Sequence, residues 1–149
     1  MEMKKGKRTT KVLPISREEA LHEAKTYFQN AKETLSKSPI EYGVYTEPKY
    51  VKEAAGMGYL SALRAIDSFL LAKGTKPDKL PTSIEEYMKV LKKIPHNGKL
   101  LAALTVVYQN LHIFAYYRGG IGVDMVKEGF KRAKGLIETF GKLSFSENL

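Results

Sequence analysis

The chain has 149 residues, of which 43% are hydrophobic and 28% are charged, and this size and composition are typical of one globular domain. It contains no cysteine, which excludes disulfide bonds, thiolate catalysis, and zinc or iron–sulfur sites held by cysteine. The formal net charge of +9 favours polyanions as partners without identifying one.

The histidines His22, His96 and His112 lie in separate segments with no close helical spacing between any two. A metal site of histidine alone would need all of them, so the sequence predicts no metal site and no cofactor. The amino-terminal segment is polar and basic, and the apolar stretches farther along are interrupted by polar residues. These features predict a cytoplasmic protein without membrane association.

Residues 1–13 are predicted to form a disordered basic arm, which either contacts nucleic acid or only improves solubility. Residues 14–149 are predicted to form a single helical-bundle domain. We find no internal repeat and no segment with the pattern of a β-strand, so the domain is expected to be all-α.

The first helix is expected to start after Ser16, because Ser16 and Glu19 have the spacing of a capping box. It should end near Ser36, ahead of Pro39. The connection over 36–47 carries turn formers and two tyrosines, and so apolar a loop is expected to pack over the bundle.

The second helix is predicted to start between Thr46 and Pro48 and to run to Lys73, with Gly74 as the residue that ends it. Its middle is rich in small residues, including Gly56 and Gly58. Each glycine inside a helix costs about 1 kcal/mol relative to alanine. We therefore expect another helix to approach closely at these positions.

A short third helix is predicted after Thr82 or Ser83 as the capping residue, with Pro95 beyond its end. The fourth helix should cover residues 99–117 and break at the glycine-rich turn 118–122. The segments 50–72 and 100–117 are both apolar almost all the way round, and helices of that kind must be buried on most sides.

The fifth helix is expected to start at Asp124 as its N-cap and to carry an apolar stripe as far as Leu143. Lys127, Lys131 and Lys134 line its outer side, where they either contact phosphates or form a solvated face. The predicted fold is an up-down four-helix bundle with an additional short helix, five helices in all.

Tyr108, His112 and Tyr116 recur at four-residue steps and share one face of the fourth helix. His112 could act as a general base, because an imidazole titrates near neutral pH. No serine, threonine or carboxylate lies at helical spacing to orient it, so the alternative is a half-buried histidine that is hydrogen-bonded inside the bundle.

Arg118 and Asp124 flank the glycine-rich turn. The Arg118 side chain and the backbone N–H groups of the next helix would together suit an anion. The turn does not match a P-loop, which ends in Lys-Ser or Lys-Thr. The alternative is that Arg118 caps carbonyl groups or pairs with Asp124.

Arg64 and Asp67 interrupt the apolar second helix and, three residues apart, can pair on one face. A buried charge pair usually has a specific reason, such as a ligand site or an interface. The alternative is a pair at the edge of the bundle with its aliphatic stems packed. No catalytic residue is assigned anywhere in the chain.

The second helix also has a pattern of small and aromatic residues that ends in Leu-Leu-x-x-Gly. A Tyr-Arg pair at 117–118 precedes a turn, and an apolar stripe follows in the fifth helix. Together these features resemble the HEPN-like superfamily of small helical bundles. The positions concerned are Tyr50, Ala54, Ala55, Gly58, Tyr59, 62–66, 70–74, 117–118, Ala133, Leu136 and Ile137.

The resemblance implies a dimer, and a nucleotidyltransferase-like or antitoxin-like protein as its partner. Family members include ribonuclease toxins, which carry an arginine followed four to six residues later by a histidine. Arg118 occupies the matching place, but no histidine follows it. The leading hypothesis is therefore a non-enzymatic, homodimeric binding or accessory protein. The alternatives are a HEPN-type ribonuclease that uses Arg118 and His112, and a nucleic-acid-binding protein.

Overall fold

Five helices build the part of the chain that the computed structural model describes, residues 13–142. This confirms the all-α prediction. The predicted arm, apart from Leu13, and the residues after Lys142 lie outside the described part. The helices are α1 (Arg17–Leu35), α2 (Pro48–Ala72), α3 (Ile84–Lys92), α4 (Gly98–Val106) and α5 (Val123–Lys142), and α4 continues directly into a π-helical segment, Val107–Tyr117.

Capping side chains fix the starts of two helices where the sequence predicted them. The Ser16 hydroxyl accepts a hydrogen bond from the Glu19 amide at 3.1 Å. The Ser83 hydroxyl accepts one from the Glu86 amide at 3.2 Å, so Ser83 rather than Thr82 caps α3. In both cases the side chain satisfies an amide that has no partner within the helix.

The loop between α1 and α2 contains a small hairpin, so the prediction of a domain without strands was wrong. Its strands are β1 (Ile40–Glu41) and β2 (Val44–Tyr45), paired antiparallel. Tyr42 and Gly43 join them with φ angles of 52° and 79°, which match the turn that suits the twist of a two-residue hairpin. The sequence signal was weak because Tyr42 is an unusual residue at a positive φ.

The hairpin packs over the bundle, as predicted for this loop. The Tyr45 amide donates to the Ile121 carbonyl at 2.9 Å, and the Val123 amide donates to the Gly43 carbonyl at 3.0 Å. These bonds tie the hairpin to the turn before α5. The Tyr45 side chain is buried as a result.

α2 is the central helix and packs against α1, α5 and the π segment. Its glycines lie where neighbouring side chains approach, which confirms the reason predicted for them. A Cβ atom on Gly58 would lie 2.6 Å from Cε1 of Phe130, and one on Gly56 would lie 3.2 Å from Cδ1 of Tyr116. Only residues without a side chain fit these contacts without a shift.

The fourth helix is less buried than its sequence predicted. Its inner side, facing α2 and α5, is fully buried at Leu104, Val107, Leu111 and Ala115. Its outer side stays half-exposed, because the helix lies at the edge of the bundle. None of the helices within residues 13–142 is long and apolar enough to span a membrane.

Candidate functional site

Four aromatic rings stack along the π segment and form what we call the aromatic ladder: Tyr59, Tyr108, His112 and Tyr116. The His112 ring centroid lies 5.5 Å from that of Tyr108 and 5.9 Å from that of Tyr116. Tyr59 from α2 stacks on His112 at 4.5 Å. A π-helix takes more than four residues per turn, so side chains four residues apart lie nearly in line.

The ladder confirms that Tyr108, His112 and Tyr116 share one face, where the contacts of the His112 ring are stacking contacts. No hydrogen bond within residues 13–142 orients the imidazole. Burial, reinforced by Tyr108 and Glu85, raises the pKa of Tyr59 to about 12, so this phenol stays protonated at neutral pH. The arrangement is one of stacked rings. Tyr59 was not predicted to join this face, because a contact between two helices leaves no periodic signal in the sequence.

Arg118 and Asp124 are both exposed, and the ion pair predicted between them does not form in the described structure. Asp124 is also not the N-cap, because α5 starts one residue earlier, at Val123, and Asp124 lies in the first turn. The Val123 amide, one of the groups proposed to bind an anion, already donates to the Gly43 carbonyl. The predicted anion site therefore has one N–H donor fewer, because the Val123 amide is bonded to the hairpin.

Arg64 and Asp67 do pair, and the pair belongs to a buried network that joins three helices. The Arg64 guanidinium donates to Asp67 Oδ2 at 3.0 Å and to Glu23 Oε1 of α1 at 2.9 Å. The Tyr87 hydroxyl of α3 donates to Asp67 Oδ1 at 2.9 Å. Asp67 is fully buried, which excludes the alternative of a pair at the bundle edge. Both carboxylate oxygens are satisfied, so the network fastens α1 and α3 to α2.

Burial raises the pKa of Asp67 to about 6, although the hydrogen bonds from Tyr87 and Arg64 pull it down. The folded protein thus binds this proton more tightly than the unfolded chain, whose pKa is near 3.8. The stability contributed by the raised pKa is complete below pH 3.8 and is lost as the pH rises through about 6.

We expect the free energy of unfolding, measured with urea, to fall over this pH interval relative to that of an Asp67→Asn variant. The shift sets an upper limit of about 3 kcal/mol on the change. Because the variant keeps Glu23 and the histidines, the difference isolates Asp67. A difference that is flat between pH 4 and pH 7 would contradict the assigned pKa.

A groove of about 570 Å³ lies between α1, the hairpin and α5. We call it the lysine-rimmed groove, because four lysines surround an apolar floor. It was missed from the sequence, where the lysines of α5 appeared only as an outer stripe. Its lining includes the apolar and aromatic residues Phe28, Leu35, Ile40, Tyr45 and Phe130 and the lysines Lys32, Lys127, Lys131 and Lys134.

The outer side of the fourth helix carries no charged residue of its own, and we call it the uncharged face. Charged residues of neighbouring helices border it: Lys52 lies over the Tyr116 ring, and Lys89 and Lys92 line a pocket together with Gln109. No Asp, Glu, Lys or Arg occurs between Lys99 and Arg118, although 28% of the chain is charged. Its exposed members are Ala102, Thr105, Gln109, Tyr116 and Tyr117.

These features define a small helical-bundle protein with a basic groove on one side and an uncharged helix face on another. The chain belongs to the family described as Domain of unknown function (DUF5618), whose model matches residues 19–142. It is similar in structure to a protein of unknown function from Dyadobacter fermentans, with 33% sequence identity and a TM-score of 0.70. That match covers 85% of this chain and 97% of the other. No curated protein matches the chain.

Proposed function

We propose that this protein is a non-enzymatic binding or accessory module that works as a homodimer through the uncharged face. The observation that carries the proposal is the absence of charged residues in the fourth helix between Lys99 and Arg118. A solvated helix of this composition would normally carry charged residues on its outer side. A contiguous, half-apolar surface of this kind is typical of an interaction site.

A second copy of this chain fits the face better than a charged partner does. Each chain carries a net charge of +9, so two copies repel each other wherever their basic surfaces meet. The fourth helix adds no charge of its own to this repulsion, since the lysines beside the uncharged face belong to α2 and α3. Tyr116 and Tyr117 are 43% and 73% exposed, and tyrosines are enriched at interfaces because they bury much area with few rotatable bonds.

The non-enzymatic part of the proposal is supported by the incomplete set of chemical groups. His112 has no orienting partner among residues 13–142, and Arg118 is exposed without an ion pair there. On the HEPN resemblance, which stays a proposal, the dimer serves a nucleotidyltransferase-like or antitoxin-like protein. The alternatives, a HEPN-type ribonuclease or a nucleic-acid-binding protein, would use Arg118 or the lysines of α5 instead.

A lysine in the middle of the uncharged face tests the proposed interface. In a symmetric dimer the same patch of each copy meets its equivalent, so Gln109→Lys places two like charges against each other. We expect the dimer dissociation constant, measured by sedimentation equilibrium, to rise at least about tenfold, which corresponds to about 1.4 kcal/mol. Gln109 is exposed, so the variant should keep its helicity.

Asn30→Lys is the matched control, since it adds the same charge at an exposed position of α1. Its dissociation constant should stay close to that of the wild type. If both variants weaken the dimer equally, net charge rather than the uncharged face controls assembly. If neither does, the interface lies elsewhere.

A further inference from the structure

The lysine-rimmed groove has an apolar floor that is built into the core. Phe130 is 7% exposed, and its ring meets that of Phe28 edge-to-face at a centroid distance of 6.0 Å. Leu35 and Ile40 extend the apolar lining towards the surface, where Ile40 is 47% exposed. A volume of about 570 Å³ lies within the range of pockets that hold small molecules.

The rim carries positive charge that nothing in the groove offsets. Lys32 approaches from α1, and Lys127, Lys131 and Lys134 approach from α5. No aspartate or glutamate is among the residues that line the groove. The three lysines of α5 recur at steps of three and four residues, which places them on one side of that helix. Such a rim attracts an anionic group and holds it at the mouth of the groove.

Tyr45 adds a polar group to the wall of the groove. Its side chain is 2% exposed, and no hydrogen bond within residues 13–142 uses its hydroxyl. The hydroxyl is not a buried unsatisfied atom, and because Tyr45 lines the groove it is available to a ligand there. Burial raises the pKa of Tyr45, so at neutral pH the phenol keeps its proton and can donate it.

We propose that the lysine-rimmed groove binds a single-chain fatty acid, with its alkyl chain against Phe28 and Phe130 and its carboxylate among the lysines. The Tyr45 hydroxyl donates a hydrogen bond to the carboxylate. An apolar floor, an unbalanced basic rim and one unpartnered donor match a ligand that is apolar at one end and anionic at the other. The site is separate from the uncharged face, so it does not depend on the proposed dimer.

A nucleic-acid ligand would account for the basic rim of the groove but not for its apolar floor. Phosphates need basic groups, and bases need exposed rings on which to stack. Of the three rings that line the groove, Phe130 and Tyr45 are buried and only Phe28 is half-exposed, so successive bases would lack rings on which to stack. An apolar floor beneath a basic rim suits an alkyl chain that ends in an anionic group instead.

Isothermal titration calorimetry with decanoate tests the proposal on the full chain. Octyl glucoside supplies a similar alkyl chain without charge, and acetate supplies the carboxylate alone. We expect decanoate to bind at least tenfold more tightly than either. Tyr45→Phe should weaken decanoate binding about threefold to tenfold through loss of one hydrogen bond. The paired variant Lys131→Gln with Lys134→Gln should weaken it more than tenfold.

Lys25→Gln with Lys79→Gln is the matched control, because it removes the same charge from exposed positions outside the groove. Its affinity for decanoate should be unchanged. Circular dichroism melts of all variants separate loss of the site from loss of the fold.

The proposal is overturned if the wild type does not bind millimolar decanoate. It is also overturned if octyl glucoside binds equally well, or if the groove variants bind like the control. A single-stranded RNA that binds more tightly than decanoate, is lost with the paired lysine variant and ignores Tyr45→Phe would assign the groove to nucleic acid.

Discussion

Replacing Asp67 with alanine is expected to lower the free energy of unfolding by roughly 3–5 kcal/mol, the usual cost of removing one partner from a buried ion pair. The variant leaves the Tyr87 hydroxyl without its acceptor and Arg64 with only the Glu23 carboxylate. Because Tyr87 is 4% exposed and the Arg64 side chain is 12% exposed, water can replace the lost carboxylate only in part. Urea unfolding at pH 7 measures the change.

The exposed ion pair of Glu128 and Arg132 provides the matched control. Its side chains are 41% and 38% exposed, and the pair spans one turn of α5. Glu128→Ala should therefore cost less than about 1 kcal/mol. If Asp67→Ala costs no more than Glu128→Ala, the network does not fasten α1 and α3 to α2.

Gly58→Ala is expected to destabilise the fold by about 1–3 kcal/mol, although alanine is the better helix former. The added methyl group would lie 2.6 Å from Cε1 of Phe130 and 3.1 Å from Cδ1 of Leu111. The Phe130 and Leu111 side chains are both buried in the core, so the clash moves α5 or the π segment away from α2. Thermal or urea unfolding measures the loss.

Gly135→Ala in α5 is the control with the opposite sign. A Cβ atom there would meet nothing within 4 Å, so only the helix propensity changes. We expect a gain of about 1 kcal/mol. Stabilisation of the protein by both substitutions would contradict the close approach of Phe130 to Gly58.

The helices could be predicted from the sequence because their signals are local. Ser16 with Glu19 and Ser83 with Glu86 mark helix starts through contacts three residues apart. The hairpin was missed because it depends on a tyrosine at positive φ and on bonds to the turn before α5. Those bonds join parts of the chain that are far apart in the sequence.

The candidate sites were predictable only where their members lie on one helix. Arg64 with Asp67, and Tyr108 with His112 and Tyr116, follow from helical spacing. Tyr87 contacts Asp67, and Tyr59 contacts His112, only because different helices pack together. The lysine-rimmed groove needs α1, the hairpin and α5 together, and no pattern within one segment shows that their side chains meet.

The molar mass of the wild-type protein in solution tests the central claim, assembly through the uncharged face, most directly. We predict that light scattering during size-exclusion chromatography gives twice the 16.8 kDa mass of one chain at micromolar concentration. A mass of 16.8 kDa under the same conditions, with the protein fully folded, would contradict the proposed dimer.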